Sequence, residues 1–163
     1  MPRYTLEFDD IATGAVANTY KTLASLLVAD TAGHRCRLRA LTVGPADDSP
    51  PDVNIGLQLN RVSDISAGSA GTSTAVSGAN MAKRDPGSLD SIVTGGIDHS
   101  AEPTTYDTEP VWAGAINARG AIVKEWGEAE APIATQDMLL GLLVAPRTAA
   151  AVRCSGSLEF ESY

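Results

Sequence analysis

Apolar and polar residues alternate with a period of two along much of this chain, and that alternation predicts strands. In RYTLEF, Tyr4, Leu6 and Phe8 face one way and Arg3, Thr5 and Glu7 the other. In HRCRLRALTV, Cys36, Leu38 and Ala40 alternate with Arg35, Arg37 and Arg39. Val53, Ile55, Leu57 and Leu59 share one face of DVNIGLQLNRV, opposite Asn54, Gln58 and Asn60. The run DMLLGLLVA is nearly continuous, as in a strand covered on both faces. AAAVRCSGSLEFES sets Val152, Cys154, Gly156, Leu158 and Phe160 against Arg153, Ser155, Ser157, Glu159 and Glu161. SIVTGG, EPVWAGAIN and GAIVKEW are weaker strand signals. NTYKTLASLLVAD fits both the strand and the helix period. Its short length and the DTAGH turn after it favour a strand, with one helical turn at its start.

The segments between are turn-forming. GPADDSPPD combines Pro, which fixes φ, with Asp, which caps local amides. SDISAGSAGTSTAVSGANMAKRDPGSLD, GGIDHSAEPTTYDTEP and GEAEAPIATQ predict three long polar loops. Glycine (15) and proline (9) are spread along the whole chain, which favours many short elements over a few long helices. Eight or nine short strands with no long helix predict one all-β domain over residues 1–163. The expected fold is an antiparallel β-sandwich of about eight strands, jelly-roll-like, with long loops. Residues 1–12 are expected as an N-terminal arm or an edge strand, able to add to a neighbour's sheet.

Composition narrows the function. The chain has 163 residues, 44% hydrophobic and 20% charged, which is ordinary globular composition. A formal net charge of −8 argues against a general nucleic-acid binder, because phosphate attraction needs net basic surface. MPRYTLEFDD has no apolar leader, and the longest apolar runs fall short of the roughly 20 residues a membrane span needs. The expectation is therefore no membrane association and synthesis in a cytoplasm.

Three arginines on one side of a short strand need partners in so acidic a chain. If the strand that carries them lies beside the last strand, Arg35, Arg37 and Arg39 meet Glu159 and Glu161 across the ladder. A basic strip that docks on an acidic partner protein is the other reading. Direct nucleic-acid contact is disfavoured, since no aromatic residues interleave with the arginines. The same adjacency would draw Cys36 towards Cys154. These two read otherwise as reduced, buried thiols.

No catalytic motif is present: G-x-S-x-G, H-E-x-x-H and phosphate-binding glycine loops are all missing. His34 and His99 are isolated in sequence and read as turn or surface residues. The acid pairs Asp9–Asp10, Asp47–Asp48 and Glu128–Glu130 read as solvated loop carboxylates. KRDPGS, with Lys83 and Arg84, reads as a turn. Trp112 and Trp126 suit core or subunit-interface packing better than a sugar platform. No catalytic, metal or cofactor site is expected, and the chain does not read as an enzyme.

One resemblance adds to this. The succession TLASLLVADTAGHRCRLRALTVG, a Pro-rich turn, VNIGLQLNRVSDISAGSAGTSTAV, MAKRDPGS, HSAEPT and AIVKEWGEAEAPIATQDMLLGLLVAPRTAAAVRCSGSLEFES resembles the head-associated proteins of tailed phages. These are the capsid decoration or cement proteins of the virion. The resemblance spans roughly Tyr20 to Ser162, and its closest local matches are AEPT and APRTAAA. It implies a β-sandwich on the capsid exterior that binds the major capsid protein at capsomer junctions as a homo-oligomer, a trimer by preference. Contact candidates are Arg35, Arg37, Arg39, Lys83, Arg84, Trp112 and Trp126. Two alternatives stay open: a tail or baseplate component, and a jelly-roll carbohydrate-binding module. The 5% aromatic content counts against the latter.

Overall fold

The structure, a computed structural model, describes residues 1–29 and 32–163. Part of the expected DTAGH turn, Asp30 and Thr31, lies outside the described residues. Twelve strands follow in chain order: β1 (Arg3–Ala12), β2 (Lys21–Val28), β3 (Arg35–Pro45), β4 (Asn54–Val62), β5 (Thr72–Val76), β6 (Ala82–Lys83), β7 (Val93–Ala101), β8 (Trp112–Asn117), β9 (Ile122–Glu125), β10 (Ile133–Thr135), β11 (Met138–Pro146) and β12 (Arg153–Ser162). One 3-10 turn, Gly78–Asn80, interrupts them.

They form two antiparallel sheets, a β-sandwich as the alternation predicts. The first runs β10-β3-β12-β1-β6, with β9 beside β10 on the free edge of β3. The second runs β5-β7-β2-β11-β4-β8. The pairing is nested. β1 pairs with β12, β2 with β11, β3 with β9 and β10, and β4 with β8. β12 also pairs with β3, and β11 with β4, which welds each outer pair to the next. β5, β6 and β7 extend the two sheets beyond this nest.

One core cluster serves both sheets. The first contributes Tyr4, Leu6, Phe8, Leu38, Leu41, Val43, Leu158 and Phe160, and the second Leu23, Leu26, Ile55, Leu57, Leu59, Leu140, Leu142 and Val144. Tyr4 stacks on Phe160 with ring centroids 5.6 Å apart. Gly156 sits opposite Phe8, and a Cβ there would meet the Phe8 ring and the Thr42 backbone, so the missing side chain makes room for the aromatic one.

Several expectations are corrected. The described residues form twelve strands, not eight or nine, because three polar segments read as loops pair with neighbours. β5 and β6 form within the stretch after Ser63, β7 runs on to Ala101, and β10 forms before Gln136. The ladder of a partner strand supplies what the local sequence lacks. No helical turn precedes β2; residues 15–18 are bends and turns. Residues 1–12 are not a free arm. β1 pairs with β12 along its length, and Tyr4, Leu6, Phe8 and Ile11 are buried. β6 covers its other edge only at Tyr4 and Thr5. Ala40 does not face the core. The register shifts between Glu159 and Phe160, which leaves Arg39 as the extra residue of a β-bulge. Arg39 and Ala40 therefore both lie outward, and Leu41 takes the inward place.

Candidate interaction surface

β12 lies inside the first sheet, and its outward residues include Glu159 and Glu161. Register sets Arg3 of β1 on one side of Glu161 and Arg37 of β3 on the other. The bulge brings Arg39 to the same place. Arg3 Nε donates to Glu161 Oε1 at 3.2 Å, and Arg39 Nε forms an ion pair with that same oxygen at 3.1 Å. Glu161 is only 4% exposed, and its Oε2 has no hydrogen-bond partner among the described residues. Arg37 and Arg39 are themselves mostly covered, with side chains 16% and 18% exposed. Arg37 Nη1 donates to Glu128 Oε1 at 3.2 Å, and its guanidinium lies 6.0 Å from the centre of the Tyr163 ring. Arg84 donates to Glu159.

Four of the five expected basic contacts are thus ion-paired within the chain. Lys83 Nζ lies 2.6 Å from Asp90 Oδ1 and donates to the Ser88 carbonyl at 3.2 Å. Among the described residues, Arg35 alone of the five has no carboxylate partner. It sits exposed at the start of β3, where its backbone pairs with Tyr163. Between the charges lies a shallow depression of about 290 Å³, floored by Ala40 and lined by Arg3, Arg39, Glu125, Trp126 and Glu159. The arginines and glutamates around it balance one another, so this face is polar without being basic.

Trp112 and Trp126 belong together at the margin of that face, where Trp126 lines the depression. They meet edge to face, ring centroids 6.3 Å apart, one on β8 of the second sheet and the other just past β9 of the first. Both pack against the core, so the pair closes one side of the sandwich. Lys124 caps the Trp126 ring at 5.6 Å.

Sequence reasoning missed a second polar group, on the outer face of the other sheet. His99 is 2% exposed, not a surface residue, and its Nε2 lies 2.9 Å from Ser25 Oγ. Nearby, the Glu102 carboxylate accepts the Thr22 N–H at 2.9 Å and the Thr22 hydroxyl, which also meets Tyr106 OH at 2.9 Å. Burial holds His99 below its ordinary value of 6.5; Glu102 and Asp98 pull the other way, and Lys21 adds to the lowering. Burial also pushes the Tyr106 hydroxyl up. No sequence spacing announces this group, since Ser25 and His99 meet only through the pairing of β2 with β7.

The cysteines stay apart although their strands are neighbours. Cys36 pairs with Ser162 and Cys154 with Pro45, at opposite ends of the β3–β12 ladder. Eight residues of strand separate them, about 26 Å. Both are free and buried. Burial raises both thiols, Cys154 to about 11.

Among the described residues no three His, Cys, Asp or Glu side chains gather as a metal site, and no helix is long and apolar enough to cross a membrane. No known family model matches the chain, and no curated protein sequence matches it significantly.

Proposed function

We propose that this chain is a structural protein of a tailed-phage virion, one that decorates the capsid exterior and stabilises the shell as a homo-oligomer, a trimer, seated on the major capsid protein at capsomer junctions. The observation that carries this reading is the outer face of the first sheet. It is a broad polar plate whose arginines are held in place by Glu128, Glu159 and Glu161. Fixed side chains lose little further freedom when a partner docks, so a plate of this kind contacts a lattice at low entropic cost. Arginine is also the charged residue that interfaces favour. Modest contacts suffice there, because each neighbour in an oligomer binds at high effective concentration.

Two further features support the reading. The nested strand pairing, first with last and second with second-last, is the order of a rolled-up hairpin and supports a jelly roll. The internal neutralisation of Arg37, Arg39 and Arg84 favours a protein partner over a phosphate backbone, whose binding relies on cations left free to displace counterions.

Electron cryomicroscopy of the source particle tests the proposal. The expected result is density of this sandwich on the head surface, repeated with the icosahedral lattice. Density stacked on the tail axis would replace it with the tail reading, and absence from the particle would reject both. Arg35→Glu with Arg84→Glu is expected to weaken attachment to heads at least tenfold while the isolated chain stays folded.

A further inference from the structure

One cation of this chain stands alone. Of the twelve lysines and arginines, nine form ion pairs among the described residues. Lys124 lies over the Trp126 ring, and Arg147 Nη1 donates to Asn18 Oδ1 at 3.1 Å. Arg35 is exposed and has no side-chain partner among the described residues, although the chain carries a net charge of −8.

Its place in the fold gives that freedom a use. Arg35 opens β3, and its backbone pairs with Tyr163 in both directions: Arg35 N–H donates to Tyr163 O at 2.8 Å and Tyr163 N–H to Arg35 O at 3.1 Å. Tyr163 and His34, the residue before Arg35, line a groove of about 280 Å³. The groove lies where β1, β3 and β7 begin and β12 ends, and Pro2, Tyr4, Leu89 and Ile92 complete its apolar wall. Asp90 is the one carboxylate side chain on that wall, and Lys83 Nζ holds it at 2.6 Å. It is therefore not free to answer Arg35.

Leu89 is 85% exposed. A surface leucine by itself needs no explanation. This one sits on a fastened loop: Tyr4 OH donates to Leu89 O at 2.8 Å, Lys83 Nζ to Ser88 O at 3.2 Å and Ser88 N–H to Asp85 O at 3.2 Å. An apolar wall already held in place loses little freedom when something fills it.

We propose that this groove docks a protein segment that carries a large apolar side chain next to an aspartate or glutamate. The apolar side chain fills the space between Leu89, Ile92 and Tyr163. The carboxylate takes the Arg35 guanidinium, whose paired N–H groups match its two oxygens. Charge complementarity selects this occupant: a basic segment would meet Arg35 with like charge, and a wholly apolar one would leave it unmatched. The volume falls below the range of about 300–1,000 Å³ usual for small-molecule sites and suits one or two side chains of a larger partner. The owner of the segment, the capsid protein, rests on the function proposed above; the chemistry of the segment does not.

Titration of the isotope-labelled whole chain, followed through its amide resonances, tests this. The probes are two blocked tetrapeptides, one with leucine followed by aspartate, the other with asparagine in its place. Both should move the amides of His34, Arg35, Leu89, Ile92 and Tyr163 at millimolar concentration. The aspartate peptide should bind about two- to fivefold more tightly, and added salt should erase the difference. Arg35→Gln should erase it as well, with both peptides still bound. Leu89→Ser, at an exposed position, should weaken both several-fold and leave the fold intact. No movement at these amides would overturn the proposal, as would equal affinity for the two peptides in the native chain, or a preference that survives Arg35→Gln. Movement that grows with protein concentration in the absence of peptide would give the groove to a second copy instead. Attachment to purified heads separates this proposal from the reading it builds on. Leu89→Ser is expected to attach several-fold more weakly than the native chain. Equal attachment would strike the groove and keep the capsid role. A native chain that attaches to no head would strike the capsid role, and the peptide titrations would still decide the groove.

Discussion

Arg39 Nε lies 3.1 Å from Glu161 Oε1, and the two reach each other because a β-bulge moves Arg39 out of the strict alternation of its strand. Glu161 is buried under Arg3, Arg37 and Arg39. Removing its charge strands the largely covered Arg39 guanidinium and loosens the more exposed Arg3. Glu161→Gln is therefore expected to destabilise the fold by about 1–3 kcal/mol, the cost of leaving buried charged donors unmatched. Chemical denaturation measures it. A double-mutant cycle with Arg39→Met should return a coupling energy above about 0.5 kcal/mol, and a value near zero would mark the pair as incidental.

Deleting residues 2–12 tests where the N-terminal segment belongs. It removes Tyr4, Leu6, Phe8 and Ile11 from the core and exposes the edge of β12. The truncated chain is expected to lose cooperative unfolding altogether. Leu6→Ala, a gentler probe, should cost about 2–5 kcal/mol. A truncated chain that keeps its native melting transition would return β1 to the role of an assembly arm.

Neither thiol should react while the chain is folded. Cys36 and Cys154 are buried, their pKa values are raised, and the register holds them at opposite ends of one ladder. A thiol reagent near neutral pH is expected to label neither residue in the native protein and both in denaturant. A reductant should leave the melting temperature unchanged.

The tryptophan pair ties β8 of one sheet to the end of β9 in the other. Trp126→Ala should destabilise by about 1–3 kcal/mol, below the cost of a fully buried tryptophan because the residue is only partly buried. Edge-to-face geometry contributes about 0.5–1.5 kcal/mol of that, which a cycle with Trp112→Ala isolates.

Asp10 titrates low because Arg153 binds its carboxylate. The folded value lies below the ordinary 3.8. The contribution of this contact is present above that pH and disappears as pH falls through the folded value. Asp10→Asn should therefore lose stability near neutrality and show a shallower acid limb in a pH series of unfolding midpoints. Identical acid limbs would remove Asp10 from the account.

The strands legible in the sequence are those whose own side chains divide between core and solvent. The sequences of β1, β3, β4 and β12 alternate apolar with polar residues over most of their length, and β11 reads as apolar throughout because it is covered on both faces. β5, with the sequence TSTAV, and the two-residue β6 carry no such division; their hydrogen bonds come from β7 and β1. The bulge at Arg39 was equally hidden, since it depends on the register of another strand. Of the charged face, the meeting of arginines with Glu159 and Glu161 could be anticipated from opposite charges on two alternating segments. The burial of Glu161 could not, nor could the meeting of His99 with Ser25, seventy-four positions apart.

The pairing of β1 with β12 sets a timetable for the chain's birth. β1 is synthesised long before β12, the strand that completes its hydrogen bonds. A ribosome must deliver the chain through β12 before the sandwich closes, and until then Tyr4, Leu6 and Phe8 have no home. Such long-range closure makes for slow folding and a prolonged exposure of sticky intermediates. In the cell, holding chaperones should find their target in the unfinished N-terminal half.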